Sequence, residues 1–273
     1  LAVGGDGTVH ETLQGIMKYV SSTEDQGDRR VKVSDFALAV IPIGSGNDWL
    51  RSLDIPNDLD EVIKRLEAEH FTTQDVVKVT SQGLESEERR VSYRANVGGV
   101  GFDARICDIV NSEKEAGVTR KMIYFSAVKR SVFSYKGMTV EILADGKSIY
   151  SGPCFTISVG NGRFYGGGLR QTPKAEINDG AVDVLFVEKA TLKLVITALP
   201  KVLGNNLTDC KDLHFLRRKS LDVRPIGDSE IVEVDGEVVG RTGVLFEVLE
   251  EKLNVLPSVL GRRKKKRKSR SRR

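Results

Sequence analysis

The chain is short of several residue types, and each shortage removes a class of protein. It has three cysteines, Cys107, Cys154 and Cys210, odd in number and widely spaced. They offer neither zinc-ligand spacing nor a disulfide framework, and read as buried thiols of a reducing, cytoplasmic setting. No stretch approaches the roughly 18 unbroken apolar residues of a membrane-spanning helix. Aromatic residues make up 6% of the chain, with a single tryptophan. None is interleaved with the basic C-terminal run, so the stacking platform of a single-strand nucleic-acid binder is missing. Internal repeats are absent as well.

Acidic residues are missing from one segment only. Residues 262–273 read RRKKKRKSRSRR and hold ten of the 42 basic residues. The remainder carries 32 basic against 38 acidic residues, so the body is acidic and the basic character belongs to a tail. Such a block cannot bury apolar surface and is expected to be disordered. It reads either as a solvated end or as a tether to anionic lipid, where each Lys or Arg contributes about 1 kcal/mol. Nucleic-acid binding is disfavoured.

The chain opens on Leu1-Ala2-Val3-Gly4-Gly5-Asp6-Gly7-Thr8-Val9-His10-Glu11. An apolar strand end runs into a glycine turn and then into a helix whose Val9, Leu13, Ile16, Met17 and Val20 share one face. Because these residues are already a strand end, an upstream part of the fold is expected to precede them. A glycine turn feeding a helix N-terminus aims backbone N–H groups at an anion and suits a phosphate. Asp6 would repel a bare phosphate, but it can hold Mg²⁺, which neutralises one. The plain alternative is a structural turn. A second turn of the same form, Gly44-Ser45-Gly46-Asn47-Asp48, follows the apolar run Phe36–Ile43, which reads as a buried parallel strand. Turns at the carboxyl ends of neighbouring parallel strands converge on one crevice, which favours a nucleotide site.

A helix is expected over Leu59–Glu69, with Leu59, Val62, Ile63 and Leu66 inward and Asn57 or Asp58 as cap. Beyond residue 72 strand-like segments alternate with turns, interrupted by helices near Arg120–Ser134 and Leu192–Leu203. The expected architecture is α/β plus β. A partial Rossmann-like nucleotide-binding domain spans 1–72, an antiparallel β-sandwich domain spans 73–261, and a disordered tail follows over 262–273. The site is expected in the interdomain cleft.

GGDGTVHE followed by GSGND resembles the catalytic domain of diacylglycerol kinases and their bacterial lipid-kinase relatives, a group related to sphingosine and ceramide kinases. Asn178-Asp179-Gly180-Ala181-Val182-Asp183 resembles that family's N-D-G segment, and Val234-Asp235-Gly236-Glu237 its D-G-E segment. The motifs occur in the family's order up to about residue 257. NAD kinases and phosphofructokinases share the G-G-D-G turn without the later D-G-E.

The resemblance implies ATP bound by Gly4, Gly5, Asp6, Gly7, Thr8, Val9, His10 and Glu11, with Ser45 in place of the usual threonine, and with Asp48. His10 stands where relatives often carry asparagine. The resemblance further implies that Asp6 organises catalytic Mg²⁺ and that Glu237 is the general base. It implies a structural Mg²⁺ on the Asp179 carboxylate and the carbonyls of Glu176 and Ala181. Taken by itself, Glu237 reads as a strand glutamate after a hairpin and Asp179 as a loop residue.

The expected activity is transfer of the ATP γ-phosphoryl group to a lipid hydroxyl, diacylglycerol first, at a membrane surface to which the protein is peripheral. The alternatives are a kinase of a soluble substrate, NAD kinase-like or sugar kinase-like, and an inactive nucleotide- or nucleic-acid-binding protein. The oligomeric state is left open.

Overall fold

A computed structural model describes residues 1–24, 31–44, 46–55, 58–68, 71–113, 120–132, 134–191, 194, 201, 207 and 213–255. The tail, Ser45, Asn57, His70, Cys210 and most of the expected helix over Leu192–Leu203 lie outside the described residues.

The N-terminal part begins with β1 (Ala2–Gly4) and α1 (Asp6–Glu24). The apolar stripe of α1 behaves as its spacing predicts: Val9, Leu13, Met17 and Val20 are buried in a core shared with Trp49, Leu50 and Leu53. The expected strand over Phe36–Ile43 is instead two short strands, β2 (Ala37–Leu38) and β3 (Val40–Pro42). They serve different sheets: β3 pairs in parallel with β1, whereas β2 pairs in parallel with the far end of the long strand β14 described below.

After α2 (Asp48–Ser52) comes α3 (Leu59–Glu67), whose first turn is capped by the Asp58 carboxylate accepting from Glu61 N at 2.9 Å. Of its expected inward face, Val62 is buried and Leu66 packs on the core, but Leu59 and Ile63 are 51% and 40% exposed. The helix touches the core along one narrow line.

The remaining strands are β4 (Thr72–Gln82), β5 (Arg89–Arg94), β6 (Val97–Gly101), β7 (Met138–Ala144), β8 (Lys147–Cys154), β9 (Thr156–Gly160), β10 (Val182–Val187), β11 (His214–Arg218), β12 (Ser220–Pro225), β13 (Ile231–Val234) and β14 (Glu237–Val255). Pairing runs β11-β10-β9-β6-β13-β14-β12-β7-β8, and β4 and β5 add to the side of β14. Its two ends approach each other: Tyr150 on the end strand β8 and Phe186 on β10, next to the other end, lie 5.2 Å apart, ring centre to ring centre. The sheet is therefore curled around an interior of Val, Ile and Leu side chains. Strands β6 and β9 are buried at every residue, because α4 (Phe102–Glu113) covers the face that the curled interior does not. Helix α5 (Arg120–Ser131) lies beside α4.

Candidate active site

The two glycine turns touch. A Cβ on Gly44 would fall 2.6 Å from the Gly5 Cα, and one on Gly46 would fall 2.7 Å from Asp6 Oδ2. Glycine is required here by space, not by a left-handed backbone. Asp6 ends the first turn and begins α1, and its Oδ1 accepts from Trp49 N of the second turn at 3.0 Å. Asn47, at φ 53°, donates from Nδ2 to Gly44 O at 2.8 Å and folds the second turn onto itself.

Asp48 is buried. It is held by Arg51 Nη1 at 2.9 Å and by Gly167 N at 2.7 Å, the latter from the loop after β9. Burial, reinforced by the negative charge of Asp6, pushes its carboxyl up to about 6. Two carboxylates brought together at glycine turns form a hard-oxygen donor set, and a divalent cation would relieve their repulsion. Asp6 and Asp48 are the residues of this cleft that could hold Mg²⁺.

The opposite wall is the hairpin between β13 and β14. Asp235 and Gly236 form its two-residue turn, both with positive φ (51° and 91°), and Val234 pairs with Glu237. This is the backbone twist that suits a tight hairpin. Asp235 fixes the turn to the β5–β6 corner, because its carboxylate accepts from Ala95 N and Asn96 N, each at 3.0 Å. The buried Glu233 accepts from Gly236 N at 3.0 Å. Burial holds the Glu233 carboxyl well above the usual carboxylate range, and the Asp103 and Asp235 charges add to the effect. Arg94, fully buried behind it, donates to Val159 O, and burial lowers its guanidinium to about 10.

The turns and the hairpin face each other across an open cleft that encloses about 610 Å³ of empty space, open solvent included. Asp6, Gly46 and Asp48 line one side, and Asn96, Asp235 and Gly236 the other. Trp49, Cys107, Val110 and Tyr165 supply apolar lining. The structure thus brings Asp6 and the residue preceding Glu237 to one cavity.

Val9 also lines the cleft, whereas Glu11 is exposed. Gly4 is pressed against the Thr8 side chain. Gly7 has open space around it. His10 is buried and turned toward the hairpin, its Nδ1 3.6 Å from Asp235 Oδ2. Burial pulls its imidazole down, but Asp235, Glu237 and Glu11 outweigh that, and the net shift is upward. Sequence reasoning passed over Asn96 and Asp235 as site residues and took Cys107 for an ordinary buried thiol. The hairpin read before Glu237 marked the turn at Asp235, but nothing local in the sequence ties it to Asn96.

Glu176, Asp179 and Ala181 lie in the loop before β10, and none lines the cleft. Ala181 offers its N–H to Asp179 Oδ1 at 3.2 Å. The other carboxylate oxygen of Asp179 meets Arg217 Nη1 at 2.8 Å. Lys252 Nζ bonds Asn178 O at 2.7 Å and the buried Asp75 at 2.6 Å, and Asp75 in turn accepts from Gly180 N at 2.7 Å. Arg217 and Lys252 thus bind the Asp179 carboxylate and the Asn178 carbonyl of this loop. Among the described residues no group of three or more His, Cys, Asp or Glu could hold a metal ion. No helix among them is long and apolar enough to cross a membrane.

Residues 1–79 match the diacylglycerol kinase catalytic domain. Residues 96–257, more than half of the chain, match the YegS C-terminal NAD kinase beta sandwich-like domain. The chain is similar to a diacylglycerol kinase of Staphylococcus saprophyticus subsp. saprophyticus, at 24% identity over 255 residues, covering 93% of this chain and 75% of the relative. A diacylglycerol kinase of Staphylococcus aureus is 23% identical over the same share of this chain and 73% of its own. Among solved structures, a diacylglycerol kinase from Bacillus anthracis str. Sterne superposes with a TM-score of 0.63 at 22% identity, covering 94% of this chain and 75% of the other. A second structure from that organism reaches a TM-score of 0.68 at 25% identity, covering 94% and 78%.

Proposed function

The chain belongs to the diacylglycerol kinase catalytic-domain family, with a YegS-type C-terminal domain, and is a kinase by that membership; from this premise we propose that it moves the γ-phosphoryl group of ATP to a lipid hydroxyl, diacylglycerol first. The observation that carries the reading is the cleft shared by two glycine turns, two neighbouring carboxylates and the Asp235-Gly236 turn that leads into Glu237. In this reading the turns let backbone N–H groups approach the phosphates without interposed side chains. Asp6, with Asp48 beside it, would hold Mg²⁺. The ion would neutralise phosphate charge as it develops. Glu237 takes the proton of the acceptor hydroxyl, whose own pKa is far above neutrality.

The test is labelled-ATP transfer to a lipid panel in vesicles. Diacylglycerol is expected to be phosphorylated, and Glu237→Gln is expected to lower kcat by about 10²–10⁴-fold. A rate within about tenfold of the parent would remove Glu237 as base. The likeness of the C-terminal domain to a NAD kinase sandwich favours a second reading, a kinase of a soluble substrate. Activity that needs neither vesicle nor detergent would select it. The 262–273 tail belongs to the lipid reading as an anionic-surface tether of a cytoplasmic, peripheral enzyme. Deleting it is expected to weaken sedimentation with anionic vesicles, more so at low salt.

A further inference from the structure

We propose that Asn111, seconded by Cys107, is a positioning residue that sets the direction of Glu237 by fixing the Gly236–Glu237 peptide; this rests on Glu237 being the base. The two side chains stand one turn apart on α4 and converge on one atom. Asn111 Nδ2 donates to Gly236 O at 2.9 Å and Cys107 Sγ at 3.0 Å. Both lone pairs of that carbonyl are thereby used.

The carbonyl belongs to the same rigid plane as the Glu237 N–H. Holding it sets where the Glu237 Cα–Cβ bond begins. The other side of Gly236 is already fixed by Glu233, and Asp235 by the Ala95 and Asn96 amides and by Val97 O, which accepts from Asp235 N at 2.9 Å. Without α4 the Gly236 carbonyl would lose both of its donors, and only the closing Val234–Glu237 pair would hold that last peptide.

The anchor is itself stiff. Phe102, Ile106 and Val110, on the neighbouring face of α4, are buried in the core that joins the helix to the sheet. The start of α4 is fixed where Gly101, at φ 86°, passes so close to Phe155 O that a Cβ would fall 2.9 Å from it. Because Cys107 lines the cleft, the clamp stands beside the reacting groups.

The experiment compares Asn111→Leu, Glu237→Gln and the double variant in the full chain, with lipid vesicles and labelled ATP. Asn111→Leu is expected to lower kcat about 10- to 100-fold, the scale of a misplaced reacting group, with the ATP KM within about twofold. In the Glu237→Gln background it is expected to add no further loss, since its effect runs through that carboxylate. A single-variant kcat within twofold of the parent, or an additive loss in the double variant, overturns the proposal. Backbone amide exchange of the nucleotide-free protein gives a readout independent of turnover. Asn111→Leu is expected to speed exchange at least tenfold at Gly236–Val238 and not in β9. Unchanged exchange there overturns the clamp. If Glu237→Gln alone leaves the rate intact, the base assignment fails, and exchange still decides whether Asn111 holds the turn.

Discussion

Several single residues do two jobs that their neighbours in sequence do not reveal. Asp235 joins a hairpin to a corner about 140 positions earlier and also faces His10. Since the His10 imidazole is raised in the folded protein, folding takes up its proton. Its stabilisation is complete below the ordinary value of 6.5 and fades as pH rises through the higher folded value. The stability lead of the parent over His10→Asn is therefore expected to shrink as pH rises above 6.5, as read by urea unfolding across pH.

The glycines separate as clearly. Gly44→Ala drives a Cβ onto the Gly5 backbone and is expected to cost about 1–3 kcal/mol and to weaken ATP binding. Gly7→Ala meets nothing within 4 Å and sits inside α1, so it is expected to leave stability unchanged or raise it by up to about 1 kcal/mol. Thermal melting and nucleotide titration of the two variants check both expectations.

At the scale of elements, what could be read from the sequence was what carried a period or a turn signal. Helix α1 showed its face because four apolar residues recur at helical spacing and all face one core. The β7–β8 turn at Asp145-Gly146 has at both residues the positive φ that the Asp-Gly dipeptide favours. Helix α4 stayed hidden although Phe102, Ile106 and Val110 have helical spacing, because it starts flush against the glycine-rich strand β6 with no polar cap between. Strands β8 and β11 lie at the outer ends of the pairing order with most residues exposed, so neither carries the alternation that marks a half-buried strand. The candidate site followed the same rule. Its turns and its glutamate were visible as motifs, but the residues that hold them, Asn96, Asn111 and Cys107, are contacts between elements and have no local signature.

Over the whole molecule, the buried Asp75 sits where the loop before β10 crosses the N-terminal core, and Lys252 neutralises it from β14. Lys252→Met is expected to lower stability by about 2–3 kcal/mol by denaturant unfolding, because it leaves a buried carboxylate with fewer partners. The same strand has a wider effect. β14 begins at Glu237 and runs 19 residues to Val255, which lies against Leu38, a few residues before the second glycine turn. Both walls of the candidate cleft are thus mounted on the ends of one ribbon, and its irregular pairing between Arg241 and Leu245 and between Val248 and Lys252 marks where that ribbon bends. Excising two residues between those bends would keep every side chain on its own face and slide one wall past the other by about 7 Å, so the bite of the enzyme is set by the length of a strand.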